Sequence, residues 1–266
     1  MLCCVACSAM CAPAKGRTNL HTYAARSYAY ACVLNPFALR AFVETFIAAY
    51  ACVLKSLHPC VRGFAGSSYA VAYLRFPFDL SVRAGSSHYG TDGQLITVSQ
   101  ITEHENYFQH SADYDIALLE LSEEVTAQGA KPIELCKSRP VPGTEAVVSG
   151  WGRTSLEDKT KPYILQVVKL PVIDQKICKD AYGERKNFKY KITERMICAG
   201  NINHDGEGAC LGDSGGPMVA NGKLVGLVSW GRGCAVAGYP GVYASIADLR
   251  DWIDENMLRY SLYSAH

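Results

Sequence analysis

From about residue 79 onward, the sequence predicts an all-β fold that ends in a single helix. Short segments rich in β-branched residues, such as Leu95–Ile101 and Leu165–Val172, alternate in part between apolar and polar side chains, which is typical of strands. Glycine and proline residues recur between these segments, as in proteins built from many short strands. The apolar pattern near the carboxyl end has the period of a helix instead.

The strands can be placed in chain order. The segments 80–87, 94–104 and 115–121 each predict a strand. Farther along, the pair Asn221-Gly222 separates two apolar runs, 218–220 and 223–229. Asn-Gly is the strongest short signal for a β-hairpin, because both turn positions require a positive φ.

A helix is predicted over residues 245–258. Ser245 can cap its first turn, with Asp248 at the third helical position. The residues that repeat at helical spacing form one apolar face, and they are Ile246, Leu249 and Ile253.

Composition divides the chain near residue 78. Residues 1–78 contain seven basic residues and one acidic residue, a net charge of +6, whereas residues 79–266 contain nineteen basic and twenty-four acidic residues, a net charge of −5. The first segment also has seven of the 12 cysteines but only three of the 23 glycines. Residues 1–78 are therefore expected to be an atypical segment rich in alanine and cysteine. The nearly neutral whole chain argues against binding of nucleic acid.

Within this atypical segment, apolar residues at three- and four-residue spacing predict a helix over 36–57. Asn35 can cap its start, and Pro59 follows its end. A membrane-spanning helix is disfavoured because Arg40 and Glu44 interrupt the apolar run. The pentapeptide Tyr-Ala-Cys-Val-Leu occurs twice, at 30–34 and 50–54, so a biased, duplicated sequence remains an alternative.

The most informative motif is Gly212-Asp213-Ser214-Gly215-Gly216-Pro217. A serine is a weak nucleophile unless a base takes its proton and nearby N–H groups stabilise the oxyanion that forms. Glycines allow the backbone to bend so that such N–H groups approach a substrate carbonyl. The motif therefore predicts a nucleophilic serine, with an ordinary polar turn as the alternative.

Further motifs surround this serine in a consistent order. The chain resembles the trypsin/chymotrypsin family of serine endopeptidases from about Asp79 to Met257, on the motifs Asp115-Ile-Ala-Leu-Leu-Glu-Leu121, Val148-Ser-Gly-Trp-Gly152, Met196-Ile-Cys-Ala-Gly200, Gly226-Leu-Val-Ser-Trp-Gly231 and Pro240-Gly-Val-Tyr243. The resemblance implies two antiparallel barrels of six-stranded type with the active site between them. The protease domain would span 79–258, with a first barrel over 79–140, a second over 141–245 and the helix at the end. The first barrel would be incomplete, because only its last three strands have counterparts.

The same resemblance implies a catalytic arrangement. Ser214 would be the nucleophile, and the backbone N–H groups of Gly212 and Ser214 would form the oxyanion hole. Asp115 would orient a histidine base. An ordinary aspartate at the start of a strand is the alternative for Asp115, although a buried acid needs a partner.

The histidine itself is not identifiable. The family motif Ala-Ala-His-Cys is absent, and the nearest upstream candidate, His58, is followed by Pro59 instead of cysteine. His104 lies where the family often has a structural histidine, and His88, His110 and His204 are interpreted as loop residues. The Ile-Val-Gly-Gly start, whose new amine would pair with Asp213, is also absent. We therefore expect this chain to be a very poor protease, and a catalytically inactive homologue that binds proteins is the alternative function.

The specificity pocket follows from positions near Ser214. The aspartate that binds Lys or Arg in trypsin-like relatives is replaced by Gly208, and the other substrate-binding positions are Ala209, Ser229, Trp230, Gly231 and Gly241. An open, uncharged slot is typical of chymotrypsin-like cleavage after Tyr, Phe or Leu. Glu207 supports the rival hypothesis of a basic substrate. Ser229, Trp230 and Gly231 would pair with the substrate backbone as an added strand.

The remaining expectations concern cysteines, location and partners. The resemblance implies the disulfides Cys178–Cys198 and Cys210–Cys234, which require an oxidising compartment and fit secretion. Cys136 has no evident partner. The first residues, 2–14, lack the basic residue of a secretory signal, which raises the hypothesis that the true start lies elsewhere. We expect a monomer without cofactor or metal that takes protein or peptide substrates and protein protease inhibitors, and that binds neither nucleic acid nor membrane.

Overall fold

The computed structural model describes most of the chain from residue 80 onward and a few short upstream stretches. The described residues are 2–3, 5–6, 27–30, 52–53, 80–107, 111–158, 160–183, 188, 190–203 and 207–263. The predicted helix over 36–57 lies outside these residues, apart from Cys52–Val53, which form a short strand.

The first sheet has five strands in the order β1-β7-β6-β5-β3. Its centre is antiparallel, while β3 pairs with β5 in parallel. This confirms the three predicted strands, with β1 and β3 at the edges of the sheet. The strands of this sheet are β1 (Leu2–Cys3), β3 (Ser27–Tyr30), β5 (Leu80–Ala84), β6 (Gln94–Glu103) and β7 (Ala117–Leu121). A separate parallel pair joins β2 (Val5–Ala6) to β4 (Cys52–Val53).

The second sheet closes on itself. Its order is β12-β9-β10-β11-β14-β13, and a further pairing of β12 with β13 completes a ring of six strands. A short seventh strand, β8, pairs in parallel with β13. The strands are β8 (Glu134–Leu135), β9 (Glu145–Gly150), β10 (Gln166–Ile173), β11 (Met196–Ala199), β12 (Pro217–Ala220), β13 (Lys223–Trp230) and β14 (Gly241–Ser245). The all-β prediction and the second barrel are thus confirmed.

The predicted hairpin is the connection between β12 and β13. Asn221 has φ +51° and Gly222 has φ +71°, so both turn residues adopt the left-handed conformation that this pair favours. The turn allows β12, which follows the Ser214 motif, to pair antiparallel with β13.

The carboxyl-terminal helix differs from its predicted bounds. It is α2 (Arg250–Tyr263), so it begins five residues after Ser245 and extends beyond 258. The reason is tertiary, because Ser245 belongs to β14 and the Ile246 N–H still donates to the Val225 carbonyl at 3.1 Å. The Ser245 hydroxyl does bond to the Asp248 carboxylate, but within the turn that precedes the helix.

A second helix, α1 (Gln175–Ala181), was not predicted. Asp174 caps it by accepting from the N–H groups of Lys176 and Ile177 at 2.8 and 3.3 Å. The helix is only seven residues long, too short for a clear periodic pattern. Neither of the helices found among the described residues could cross a membrane, being too short or too polar.

Helix α2 joins the two sheets. Trp252 stacks on His104 with ring centroids 4.8 Å apart, and its indole N–H donates to Glu105 at 2.8 Å. Ile253 is fully buried in the same hydrophobic core as Leu118 of β7 and the strands of the second barrel. This shared core joins the two sheets.

The hairpin turn gives a direct test of the fold. Gly222→Ala should lower the free energy of unfolding by about 1 kcal/mol, because alanine is strained at positive φ although the site is otherwise open. Urea denaturation measures this change. Asn221→Gly is the matched control and should stay within a few tenths of a kcal/mol of the original chain. Equal stability of Gly222→Ala and the original chain would contradict the turn geometry.

Candidate active site

Ser214 lies in a tight turn just before β12. The Gly215 N–H donates to the Val228 carbonyl at 2.7 Å, and the Gly216 N–H donates to the Asp213 carbonyl at 2.7 Å. A Cβ on Gly216 would lie only 2.7 Å from that carbonyl oxygen, so this position requires glycine. The turn is thereby fastened to β13, and it places the half-buried Ser214 at the rim of a pocket.

Two backbone N–H groups of the nucleophile turn have no hydrogen-bond partner among the described residues. Within the described part of the chain, neither the Gly212 nor the Ser214 N–H donates a hydrogen bond. Gly212 has φ +104°, a conformation that side-chain-bearing residues rarely adopt. The glycine therefore permits a backbone arrangement that leaves two adjacent donors available to a ligand.

The Asp213 carboxylate anchors this turn to the opposite loop. Its Oδ1 accepts from the Gly152 N–H at 2.7 Å, and its Oδ2 accepts from the Cys210 N–H at 2.9 Å. A Cβ on Gly152 or Gly150 would lie 2.4 or 2.1 Å from the carboxylate, so both glycines make room for it. Burial raises the pKa of Asp213, and the two N–H donors oppose that rise.

Asp115 lies two residues before β7, in the first half of the described domain, and is only 4% exposed. The Ser229 hydroxyl donates to its Oδ2 at 2.5 Å. Since Ser229 and Ser214 both line the same pocket, this bond connects Asp115 of the first half to the site. Asp115 therefore has the hydrogen-bond partner that a buried acid requires.

Both histidines among the described residues have other partners. His104 is 6% exposed, lies 4.5 Å from the Tyr114 ring and stacks on Trp252, which fits a structural role. Burial lowers its pKa, although Glu105 and Asp113 oppose this. His88 places Nδ1 3.1 Å from an Asp92 carboxylate oxygen. The remaining candidates, His58, His110 and His204, lie outside the described residues.

The pocket beside Ser214 is a slot between two glycines. A Cβ on Gly231 would lie 3.8 Å from the Gly241 Cα, and one on Gly208 would lie 3.2 Å from the Ala235 Cβ. Any larger side chain at these places would narrow the opening. The predicted substrate-binding positions line this one pocket, namely Gly208, Ala209, Ser229, Trp230, Gly231 and Gly241. Glu207 lines it too.

Tyr243, which is not among the predicted substrate-binding positions, also lines the pocket. Tyr243 is fully buried, and its hydroxyl has no hydrogen-bond partner among the described residues. A Cβ on Gly241 would approach this hydroxyl to 3.1 Å. The motif Pro240-Gly-Val-Tyr243 could have identified Tyr243 as a residue near the site. Nothing in the sequence, however, indicates the direction of its side chain.

Tyr182 packs against Trp230, which lines the pocket. The Tyr182 hydroxyl, at the end of α1, donates to the Pro240 carbonyl at 2.7 Å, and its ring lies 4.8 Å from Trp230. Burial raises the pKa of Tyr182 to about 12, so the hydroxyl remains a donor at neutral pH. This contact was missed because α1 itself was not predicted.

Both disulfides that the resemblance implied are formed. Cys178–Cys198 joins α1 to β11, and Cys210–Cys234 joins the nucleophile segment to the far pocket wall. Cys136 is a buried free thiol, and burial raises its pKa. The second bridge holds two sides of the slot together.

Comparisons with known proteins agree with this geometry. The family model Trypsin matches residues 68–253, so the match begins somewhat before the predicted start near 79. Similar curated proteins are Trypsin 5G1 of Aedes aegypti, 46% identical over 180 residues (66% of this chain, 65% of that protein), Trypsin beta of Drosophila erecta, 44% over 179 residues (66% and 68%), and Hypodermin-B of Hypoderma lineatum, 42% over 179 residues (66% and 67%). The chain belongs to the trypsin family of serine endopeptidases. It spans about two thirds of the length of these relatives.

The raised pKa of Asp213 gives a pH prediction. A carboxyl group whose pKa is higher in the folded state stabilises the fold most at low pH, and this contribution is lost as the pH rises through the folded-state pKa. The free energy of unfolding of the original chain, relative to Asp213→Asn, should therefore fall as the pH rises from about 3.9, the ordinary value. Denaturant titrations between about pH 3.5 and 6.5 measure it. A pH-independent difference would contradict the burial of this carboxylate.

Proposed function

We propose that the described domain is the catalytic unit of a serine endopeptidase that works through an acyl-enzyme. The observation that carries this proposal is the pair of unbonded N–H groups, Gly212 and Ser214, beside the Ser214 hydroxyl at the mouth of an open slot. Such donors stabilise the negative charge that develops on a carbonyl oxygen during acyl transfer.

The proposed reaction assigns a role to each group. Ser214 Oγ bonds to the scissile carbonyl carbon and loses its proton to a base, which passes a proton to the departing amine. Water then hydrolyses the acyl-serine ester by the same route in reverse. Asp115, with one oxygen bonded to Ser229, would orient the base and stabilise its charge.

The base limits the activity that we expect. His88 and His104 are engaged elsewhere, so no described histidine is a candidate. Removal of the base from a serine protease triad costs about 10⁶ in turnover, or roughly 8 kcal/mol of barrier. We therefore expect slow turnover by this chain.

For the substrate, we propose a peptide with a large apolar side chain in the slot. The relatives are named trypsins, but the position of the charged aspartate in trypsin-like pockets is Gly208 here, and the slot walls are Gly231 and Gly241. Burial of a Phe side chain contributes about 1.5 to 3 kcal/mol. Glu207 also lines the pocket, and its carboxylate supports the rival hypothesis of a substrate with a basic side chain. Trp230 and its neighbours would hold the peptide as an added strand.

The setting we propose is extracellular. Two disulfides persist best in an oxidising compartment, and the partners would be protein substrates and protein protease inhibitors that enter the same groove. We propose a monomer that needs no cofactor, since Ser214, Asp115 and the two backbone N–H groups belong to one chain.

A second candidate is a catalytically inactive homologue that binds peptides in the same groove. The engagement of both described histidines with other partners favours it. It differs from the first candidate in one respect, because binding would persist while Ser214 would not react even when a base is supplied.

Labelling of Ser214 with a fluorophosphonate tests the proposal. The intact chain should label slowly, and added imidazole should accelerate labelling at least tenfold, because imidazole acts as a base that no described histidine provides. Mass spectrometry locates the adduct, and Ser214→Ala is the control without a nucleophile. Absence of labelling with imidazole would favour the inactive homologue, whereas fast labelling without imidazole would refute the slow-turnover expectation.

Side-chain preference needs a separate experiment. Peptidyl phosphonates that carry Phe, Arg or Ala beside phosphorus should label in the presence of imidazole, with Phe about tenfold to hundredfold faster than Ala. Gly231→Val should slow the Phe compound most, because its side chain would point toward Gly241. A preference for Arg would instead support Glu207 as the specificity determinant.

A further inference from the structure

Lys161 is a half-buried cation that the proposed reaction does not use. It lies in the loop before β10, and backbone hydrogen bonds fix the segment that follows it. The Tyr89 N–H donates to the Tyr163 carbonyl at 2.7 Å, and the Leu165 N–H donates to the Ser87 carbonyl at 2.8 Å. Backbone hydrogen bonds therefore hold the segment that directly follows Lys161.

Its side chain packs against the backbone of the nucleophile turn. A Cβ built on Gly212 would lie 2.4 Å from Lys161 Nζ and 2.8 Å from its Cε. The ammonium thus occupies the space where any side chain at Gly212 would be. Since Gly212 contributes one of the two unbonded N–H groups, the lysine touches the backbone that forms the proposed oxyanion hole.

The nearby carboxylate is that of Asp213. Its two backbone donors, Gly152 and Cys210, supply partial charges but no full positive charge. Burial lowers the pKa of Lys161, the charge of Asp213 opposes this, and the like charge of Arg153 adds to it. Gly212 directly precedes Asp213, so the ammonium beside Gly212 is close enough for its charge to lower the pKa of the Asp213 carboxyl group.

We propose that Lys161 is a positioning residue, whose ammonium stabilises the Asp213 carboxylate and so holds Gly212 with its N–H available to the oxyanion. This inference rests on the proposed acyl transfer at Ser214. It implies that a cation within the chain supports the turn from the side of the β9–β10 loop. An amine released by cleavage upstream is then not the sole source of positive charge for Asp213.

The first test measures the pKa of Asp213 by nuclear magnetic resonance of its carboxyl carbon. Lys161→Met, which keeps the length and removes the charge, should raise this pKa by about one unit, equivalent to a tenfold change in the equilibrium. Lys161→Arg should restore most of the original value. Lys176→Met, at an exposed position on α1, is the matched control and should leave it unchanged. An Asp213 pKa that is the same in Lys161→Met and the original chain would overturn the proposal.

The second test measures imidazole-assisted labelling of Ser214 by a fluorophosphonate. Lys161→Met should label about tenfold more slowly, and Lys161→Arg should regain at least a third of the original rate. Equal rates for Lys161→Met and the original chain would overturn the proposal. If no variant labels at all, the proposed function fails, while the Asp213 titration still decides the role of Lys161. Lys161→Gln replaces Lys161→Met if the latter does not fold, as judged by circular dichroism.

Discussion

The hydrogen bonds of the Asp213 carboxylate are the constraint on which the site depends. They connect the nucleophile turn to Gly152, two residues after β9, and to Cys210, which a disulfide joins to the far pocket wall. Two glycines leave room for the carboxylate. Because Asp213 is adjacent to Ser214, these contacts hold the backbone of the nucleophile turn in place. Preorganised donors of this kind lose little free energy to reorganisation when charge develops.

The rest of the fold supports that arrangement from two directions. The hairpin between β12 and β13 holds the turn against Val228, and the shared core around Ile253 and Trp252 sets the distance between the two sheets. Ser229 then reaches Asp115 across the groove. The site therefore requires both halves of the described domain, although only the second half closes into a barrel.

Local signals in the sequence predicted the features that depend on a few neighbouring residues. Asn221-Gly222 specified its turn because both residues tolerate positive φ, and the motif around Ser214 identified the family. The start of α2 was misplaced because Ser245 is held in the sheet by partners distant in the sequence. The position of Lys161 against Gly212 was not predictable, since it follows from the packing of two loops about fifty residues apart.

The most direct measurement of the central claim is boron nuclear magnetic resonance of the chain mixed with a peptide boronic acid that carries a Phe side chain. A boronic acid becomes tetrahedral when a serine oxygen bonds to it, and it then resembles the intermediate of acyl transfer. The account predicts a tetrahedral boron signal that disappears in Ser214→Ala. A signal that stays trigonal with the original chain, or a tetrahedral signal that persists in Ser214→Ala, would contradict it.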